Sequence, residues 1–151
     1  MKAIVRFFSV LAVAALMACG SSGTGPEDEN PTGTGITGSW RGFYFEMTSQ
    51  ADPSVSVDLV QYGVAYSITI NADSSYTAST TFLGSTVEEN GVLQLSGNNI
   101  TMVSPQNGTF NGTYTLSGDT LSMNLSGMAF DFDQDGTSEA ADLSTSLLRT
   151  N

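Results

Sequence analysis

The chain has 151 residues, and its 15 acidic side chains outnumber its four lysine and arginine side chains, giving a formal net charge of −11. This excess of negative charge excludes a role in binding nucleic acid, because phosphate backbones are repelled. The chain has no histidine and its one lysine is Lys2, so the usual general base and Schiff-base amine of enzymes are missing. We therefore predict a protein that is not an enzyme.

The first 18 residues have the layout of an export signal. Lys2 and Arg6 give the segment a positively charged beginning, and the apolar run over residues 7–17 is shorter than a typical membrane-spanning helix. The segment ends in Leu16-Met17-Ala18-Cys19, which contains the only cysteine of the chain. These four residues resemble the lipobox of bacterial lipoproteins; the alternative is an ordinary signal peptide with an incidental cysteine. The resemblance implies cleavage before Cys19 and attachment of fatty acids such as palmitate to its thiol and new amino group.

The resemblance also implies a location in the cell envelope, where the lipid anchors the chain to a membrane. In Gram-negative lipoproteins an aspartate after the lipidated cysteine is the usual signal for retention in the inner membrane, and Gly20 and Ser21 follow here. Delivery to the outer membrane is therefore implied, facing either the periplasm or the outside. After cleavage, the chain keeps two basic residues, Arg41 and Arg149, and all fifteen acidic residues. Its net charge is then −13. The sequence identifies no protein partner.

Residues 19–36 form a predicted tether between the anchor and the folded domain. The segment from Gly20 consists of glycine, serine, threonine, proline and acidic residues, and Ile36 is its first large apolar side chain. Such a composition cannot offset the entropy of ordering the backbone. As a flexible coil it would span roughly 20–25 Å. A single domain is predicted for residues 37–151.

Within this domain, apolar and polar residues alternate with a period of two, and no long stretch has helical spacing. Val64, Tyr66, Ile68 and Ile70 share one face of such a strand, and residues 71–75 after it are typical of a hairpin loop. The pattern predicts an all-β domain. Its ten candidate strands are residues 39–47, 55–62, 64–71, 75–83, 91–96, 99–103, 112–116, 120–126, 128–132 and 140–148.

The sequence of residues 91–102 is echoed by residues 112–123, and each copy is a strand, a Ser-Gly turn and a second strand. Gly97 and Gly118 supply the positive φ that a tight hairpin turn needs. Consecutive hairpins without a covering helix leave two exposed sheet edges unless the sheet closes on itself. We predict a single antiparallel up-and-down barrel of about eight to ten strands, with a β-sandwich as the alternative.

The first and last strands carry a resemblance to a known family. Gly38-Ser39-Trp40 resembles the Gly-x-Trp start of lipocalin and lipocalin-like barrels, and residues 68–76 and 112–121 resemble stretches of bacterial lipocalin-like lipoproteins. The last strand carries Leu143, Thr145, Leu147 and Arg149 on one face. The resemblance implies that Arg149 lies over Trp40 and closes one end of the barrel. Arg41, next to Trp40, should point to the other side of the strand.

The predicted interior mixes aromatic and flexible side chains, which can either line a cavity for a small apolar ligand or fill the barrel. The candidates for this lining are Tyr44, Tyr66, Ile68, Phe82, Leu95, Met102, Tyr114, Leu116 and Met123. Strict alternation places Phe43, Phe45 and Met47 opposite Trp40, and a bulge at Gly42 would return them to the interior.

An acidic loop is the clearest chemical signal in the domain. Carboxylates at alternate positions followed by a glycine can wrap around one hard cation, so the loop resembles the first half of a calcium-binding loop. The expected ligands are the side chains of Asp131, Asp133 and Asp135, the carbonyl of Thr137 and a closing carboxylate from Glu139 or Asp142. The alternative is a simple hairpin turn at Asp135-Gly136 with solvated carboxylates.

A second pair of acidic residues, Glu88 and Glu89, does not predict catalysis, because neighbours on a strand point to opposite faces. Asn90-Gly91 beside them is typical of a turn in solvent. We therefore expect a lipid-anchored envelope protein whose lipocalin-like barrel binds a small apolar ligand or acts as a structural module. The alternative is an acidic, calcium-stapled module for adhesion or assembly.

Overall fold

The computed structural model describes residues 35–150, so the export signal, Cys19 and the predicted tether up to residue 34 lie outside the described residues. The strands in chain order are β1 (Gly38–Ser49), β2 (Ser56–Asp58), β3 (Ala65–Ile70), β4 (Ser75–Phe82), β5 (Ser85–Ser96), β6 (Asn99–Ser104), β7 (Gly108–Ser117), β8 (Thr120–Phe130) and β9 (Glu139–Thr150). A short 3-10 helix, Leu59–Tyr62, joins β2 to β3. Nothing helical in residues 35–150 has the length and apolarity that crossing a membrane requires.

The strands form one closed antiparallel sheet. β1 pairs with β3, each later strand pairs with the next, and β9 returns to pair with β1 from Ser39 opposite Thr150 to Ser49 opposite Ala141. Eight strands therefore make a barrel, and the short β2 is added along the far half of β1, where Glu46 lies opposite Asp58. The predicted up-and-down barrel is confirmed. The sandwich alternative is wrong, because the pairing of β9 with β1 leaves a single closed sheet.

A bulge in β1 reverses the alternation of its side chains. The register with β9 shifts between Gly42 and Tyr44, so Trp40 and Phe45 both face the interior although they are five positions apart. Met47 is partly buried against the same core. The hydroxyl of the buried Thr145 donates a hydrogen bond to the carbonyl oxygen of Tyr44 at 2.8 Å. The predicted bulge thus returns two of the three residues to the interior, whereas Phe43 is 55% exposed.

The predicted strand over residues 55–62 is wrong in its second half, which is the 3-10 helix. The side chain of Asp58 accepts a hydrogen bond from the backbone N–H of Val60 at 3.1 Å and so caps this helix. Gly63 ends it with a φ of 85°, a conformation that glycine adopts without steric cost. Leu59 and Val60 then pack against the core.

Other predicted boundaries also differ from the structure, and β7 begins at Gly108, four residues before its predicted start. The candidate strands 120–126 and 128–132 form the single strand β8, because a bulge with Gly127 at a φ of 91° lets the strand continue past the break in alternation. The predicted Asn90-Gly91 turn is wrong: both residues lie inside β5, where Gly91 pairs with Tyr76. A Cβ at Gly91 would collide with the Tyr76 ring and the Val103 carbonyl, so the glycine serves close packing here.

The barrel interior is one contiguous apolar cluster that draws residues from every barrel strand. At the end where β1 begins, which we call the Trp40 end, Ile36 packs into the cluster and is 4% exposed. Leu59 and Val60 of the 3-10 helix pack against the cluster near the opposite end, which we call the acidic-loop end because it carries the loop between β8 and β9. Residues outside the strands therefore contribute to the core near both ends.

Candidate functional site

Arg149 and Trp40 meet at the Trp40 end of the barrel. They are paired across β9 and β1, and the guanidinium carbon lies 4.1 Å from the centroid of the indole ring. The guanidinium donates hydrogen bonds to the carbonyls of Thr37, at 2.8 Å, and Gly35. Its Nε lies 3.5 Å from a carboxylate oxygen of Asp119. The sequence resemblance implies this juxtaposition, and Arg41 on the neighbouring position of β1 is exposed on the outer face.

The indole nitrogen of Trp40 completes this closure by donating a hydrogen bond to the carbonyl of Ile36 at 2.8 Å. Buried polar groups are costly unless they are paired, and the indole N–H is paired here with backbone that runs over the barrel mouth. The chain before β1 is thereby fastened across the Trp40 end. Ile36, which the composition assigns to the tether, is part of this cover.

The nine predicted lining residues fall into three groups. Tyr66, Ile68, Met102 and Met123 are buried in the interior, and Leu95 and Tyr114 are partly buried against it. Phe82 is half-buried near the end of β4, and Leu116 is 36% exposed at the Trp40 end. Tyr44 lies on the outer face, because the bulge in β1 places it opposite Ser146 next to the inward Phe45.

Most inward side chains pack against one another with little accessible area, while Phe45, Phe110 and Tyr66 retain 6–9% exposure. Seven of the inward side chains are each at most 1% accessible: Trp40, Tyr76, Ile68, Ile100, Leu121, Met123 and Leu147. A hollow large enough for a ligand would leave accessible area on the side chains that line it. The clefts that open on the barrel, of about 370 Å³ and 440 Å³, are lined mainly by outward-facing residues of the strands.

A polar group inside the barrel near the acidic-loop end was missed by the sequence interpretation. Glu89 pairs with Ala78 and faces inward, where it accepts hydrogen bonds from the Tyr76 hydroxyl at 2.5 Å and the Asn107 amide at 2.6 Å. The sequence does contain a signal for this orientation, because Glu89, Leu93 and Leu95 occupy alternate positions of β5 and so share one face of the strand. The predicted turn at Asn90-Gly91 interrupts that alternation and hides the signal.

Two tyrosines near Glu89 are held in their neutral form. Burial raises the pKa of the Tyr76 hydroxyl well above its ordinary value, and its hydrogen bond to Glu89 and the charge of that carboxylate raise this pKa further. Burial likewise raises the pKa of Tyr66, with a smaller contribution from the charge of Glu89. A group that stays protonated is a hydrogen-bond donor, so Tyr76 acts as the fixed donor to Glu89.

The acidic loop brings four carboxylates together, which we call the acidic cluster. One oxygen from each side chain lies within 4.8 Å of the others, and the members are Asp131, Asp133, Asp135 and Glu139. Backbone N–H groups hold the carboxylates in place: that of Gly136 donates to Asp131, that of Asp135 to Asp133, that of Thr137 to Asp135 and that of Phe132 to Glu139. The arrangement can hold a hard cation through oxygen ligands.

One oxygen in the acidic cluster lacks a partner. The second carboxylate oxygen of Asp131, Oδ1, is buried and has no hydrogen bond within residues 35–150. Asp142, an expected closing ligand, is not a member of the cluster. It lies on β9 opposite Ser126, where its carboxylate accepts a hydrogen bond from the Gln50 amide at 2.7 Å. Thr137 contributes its N–H to Asp135.

Comparison with protein-family models finds no match to the sequence, and comparison with curated proteins finds no matching relative.

Proposed function

We propose that the chain is a lipid-anchored protein of the bacterial cell envelope, delivered to the outer membrane, whose lipocalin-like barrel is a rigid structural or display module. The observation that supports this proposal is the packed interior, where seven inward side chains, Trp40 and Tyr76 among them, are at most 1% accessible. The anchor is Cys19, acylated after removal of the export signal. Gly35, the first described residue, accepts a hydrogen bond from Arg149 at the Trp40 end, so we propose that the tether joins the barrel there.

A small apolar ligand inside the barrel is the competing form of this proposal. To enter, it would have to displace packed side chains such as Ile68, Met123 or Leu147. Removing the packing of one large apolar side chain typically costs about 2–5 kcal/mol. The filled barrel therefore favours the structural module over a ligand carrier. The absence of histidine from the sequence supports a module without enzymatic activity.

Metabolic labelling with tritiated palmitate tests the anchor. The full chain, expressed in a Gram-negative host, should incorporate the label and sediment with the outer membrane. The Cys19→Ala variant should lose the label and leave the membrane fraction, and Ser21→Ala is the matched control that should keep both properties. An unlabelled protein with Cys19 intact would contradict the proposal.

The acidic cluster favours a second candidate function, an adhesion or assembly module. In this module, bound calcium stabilises the loop between β8 and β9. Four carboxylates within 4.8 Å repel one another, and the buried Asp131 Oδ1 lacks a hydrogen-bond donor. A bound divalent cation would relieve both costs. Calcium accepts six to eight oxygen ligands in flexible geometry, which suits ligands from a loop.

Isothermal titration calorimetry tests this second candidate. Calcium should release or absorb heat on binding to the full chain, and Asp133→Ala should weaken that binding. Asp73→Ala, a change in the exposed β3–β4 turn outside the cluster, is the control and should leave binding unchanged. The absence of a binding heat at millimolar calcium, at two temperatures, would remove the calcium proposal and leave the structural module intact.

A further inference from the structure

The outer wall of the barrel carries a cleft of about 370 Å³ over β1, β3 and β4, which we call the Arg41 cleft. Hydroxyl-bearing side chains dominate its lining, and its only charged member is Arg41. The polar side chains that line it on these three strands are Ser39, Arg41, Ser67, Thr69, Ser79 and Thr81.

Arg41 is available to a ligand. It is exposed, and within residues 35–150 its guanidinium makes no hydrogen bond or ion pair. Its register neighbours on the two adjacent strands are Ser67 and Leu148, neither of which is charged. The other described cation, Arg149, is committed to closing the barrel. An unpaired guanidinium on so acidic a chain can therefore pair with an anion from outside.

The positions beside Arg41 supply uncharged hydroxyls in a row. Arg41 pairs with Ser67, and Ser67 pairs with Ser79, so the three side chains stand next to one another across β1, β3 and β4. The Ser67 and Ser79 hydroxyls make no hydrogen bond within the described part of the chain. Each hydroxyl can both donate and accept. This row can therefore exchange hydrogen bonds with the hydroxyls of a sugar ring.

The far side of the row ends in a carboxylate. Ser79 pairs with Glu88 on β5, which lies three strands from Arg41, or roughly 14 Å at the usual strand spacing. Glu88 lies beyond the residues that line the cleft, where its carboxylate can accept hydrogen bonds from ligand hydroxyls and would repel a second anionic group. The exposed ring of Phe43 follows Arg41 by two positions on β1, where it offers an apolar surface to the C–H face of a sugar.

We propose that the Arg41 cleft binds a carbohydrate that carries a single carboxylate, of the uronic acid type found in acidic polysaccharides. The ligand carboxylate pairs with Arg41, and neighbouring sugar hydroxyls bond to Ser67, Ser79 and Glu88. A ligand with several negative charges is disfavoured by Glu88 and by the net charge of the chain. The site lies on the outer wall and requires neither an open barrel nor calcium.

Chemical-shift mapping tests the proposal with an aldobiouronate, a disaccharide of one uronic acid and one neutral sugar, as the acidic probe and its methyl ester as the neutral control. The protein is the isotope-labelled full chain with Cys19→Ala, which removes the acylation site. The acid should shift the backbone amides of Arg41, Ser67 and Ser79, and the ester should bind at least about tenfold more weakly. Arg41→Gln should reduce the affinity for the acid by about tenfold or more, as expected for a charged hydrogen-bonded pair.

The second outer cleft provides a control within the same molecule. It has similar size and polar lining, with Asn99, Thr101, Asn111 and Thr113, but no charged side chain. Thr113→Ala should leave binding of the acidic sugar unchanged. Four results would each overturn the proposal. Two concern affinity: equal binding of the acid and the ester, or unchanged affinity in Arg41→Gln. The other two are shifts centred on Thr101 and Asn111, or no shifts at millimolar sugar.

Discussion

The guanidinium of Arg149 stacks on the Trp40 ring, with 4.1 Å between the guanidinium carbon and the ring centroid, and reaches beyond it to the backbone of Thr37 and Gly35. One side chain thus joins the last strand, the first strand and the segment that covers the barrel mouth. A cation over an indole contributes about 0.5–2 kcal/mol, more when water is excluded. Hydrogen bonds from a charged donor contribute about 1.5–3 kcal/mol.

Replacing Arg149 by methionine should lower the free energy of unfolding by about 2–4 kcal/mol, because the stack and the hydrogen bonds to the mouth segment are lost together. Urea denaturation measures this change. Arg41→Met is the matched control: it removes the other described arginine, which makes no contact of this kind, and should change stability by less than about 0.5 kcal/mol. Similar losses in the two variants would contradict a closing role for Arg149.

Stability should decline at alkaline pH because of Tyr66 and Tyr76. Burial and Glu89 raise the pKa of both hydroxyls, so the folded state favours the neutral phenol. Their contribution is fully present below the unfolded pKa of about 10 and is lost as the pH rises above it. Phenolate absorbance should show these two tyrosines among the last of the five to ionise.

Tyr66→Phe should therefore reduce the fall of stability above about pH 10, because one of the two titrating groups is removed. Tyr62→Phe changes an exposed side chain and is the control that should leave the alkaline decline as it is. If Tyr66→Phe and the parent protein lose stability in parallel with rising pH, the buried phenol does not cause the decline.

Gly91→Ala should destabilise the barrel by about 1–3 kcal/mol, the usual cost of overpacking a core. The new methyl group would collide with the Tyr76 ring and the Val103 carbonyl oxygen. In a Tyr76→Leu background the same substitution should cost less, because the ring no longer collides with the new methyl group, and thermal unfolding of the two single variants and the double variant measures this coupling. Full stability of Gly91→Ala would show that Tyr76 does not pack over this glycine.

Calcium at about one hundred times its dissociation constant should stabilise the folded state by about 2.7 kcal/mol, since a ligand that binds only the folded state shifts the equilibrium by mass action. This corresponds to a rise of roughly 5–10 °C in the unfolding temperature of a domain of this size. Chelation should reverse the rise, and Asp131→Asn should abolish it. Glu88→Gln, outside the acidic cluster, should retain it, and an equal rise in all three proteins would indicate a general ionic effect.

Much of the barrel follows from local patterns in the sequence. The alternation around Ile68 and Ile70 identifies β3, the Asn71–Ser75 segment forms the turn to β4, and the paired Ser-Gly turns predict successive hairpins. The closed sheet follows from the need to remove exposed edges. These features depend on neighbours along the chain, so a single sequence is sufficient to predict them.

The errors arise where a cap at the end of an element, or pairing across the sheet, overrides the alternation of apolar and polar residues. The apolar residues Leu59 and Val60 suit a strand, and only the Asp58 cap and Gly63 turn them into a 3-10 helix. Asn90-Gly91 suits a turn, but its pairing with β4 keeps it extended and points Glu89 inward. In the acidic loop the sequence predicts the convergence of Asp131, Asp133, Asp135 and Glu139, while the Gln50 amide that engages Asp142 comes from a distant part of the chain.

The most direct test of the filled barrel is titration of the full chain, carrying Cys19→Ala, with a fluorescent fatty acid while the emission of Trp40 is recorded. Trp40 is the only tryptophan and is buried in the interior, so a ligand inside the barrel would quench it. The structural module predicts no saturable change in either the probe or Trp40. Saturable binding of one fatty acid per chain, with quenching of Trp40, would contradict it.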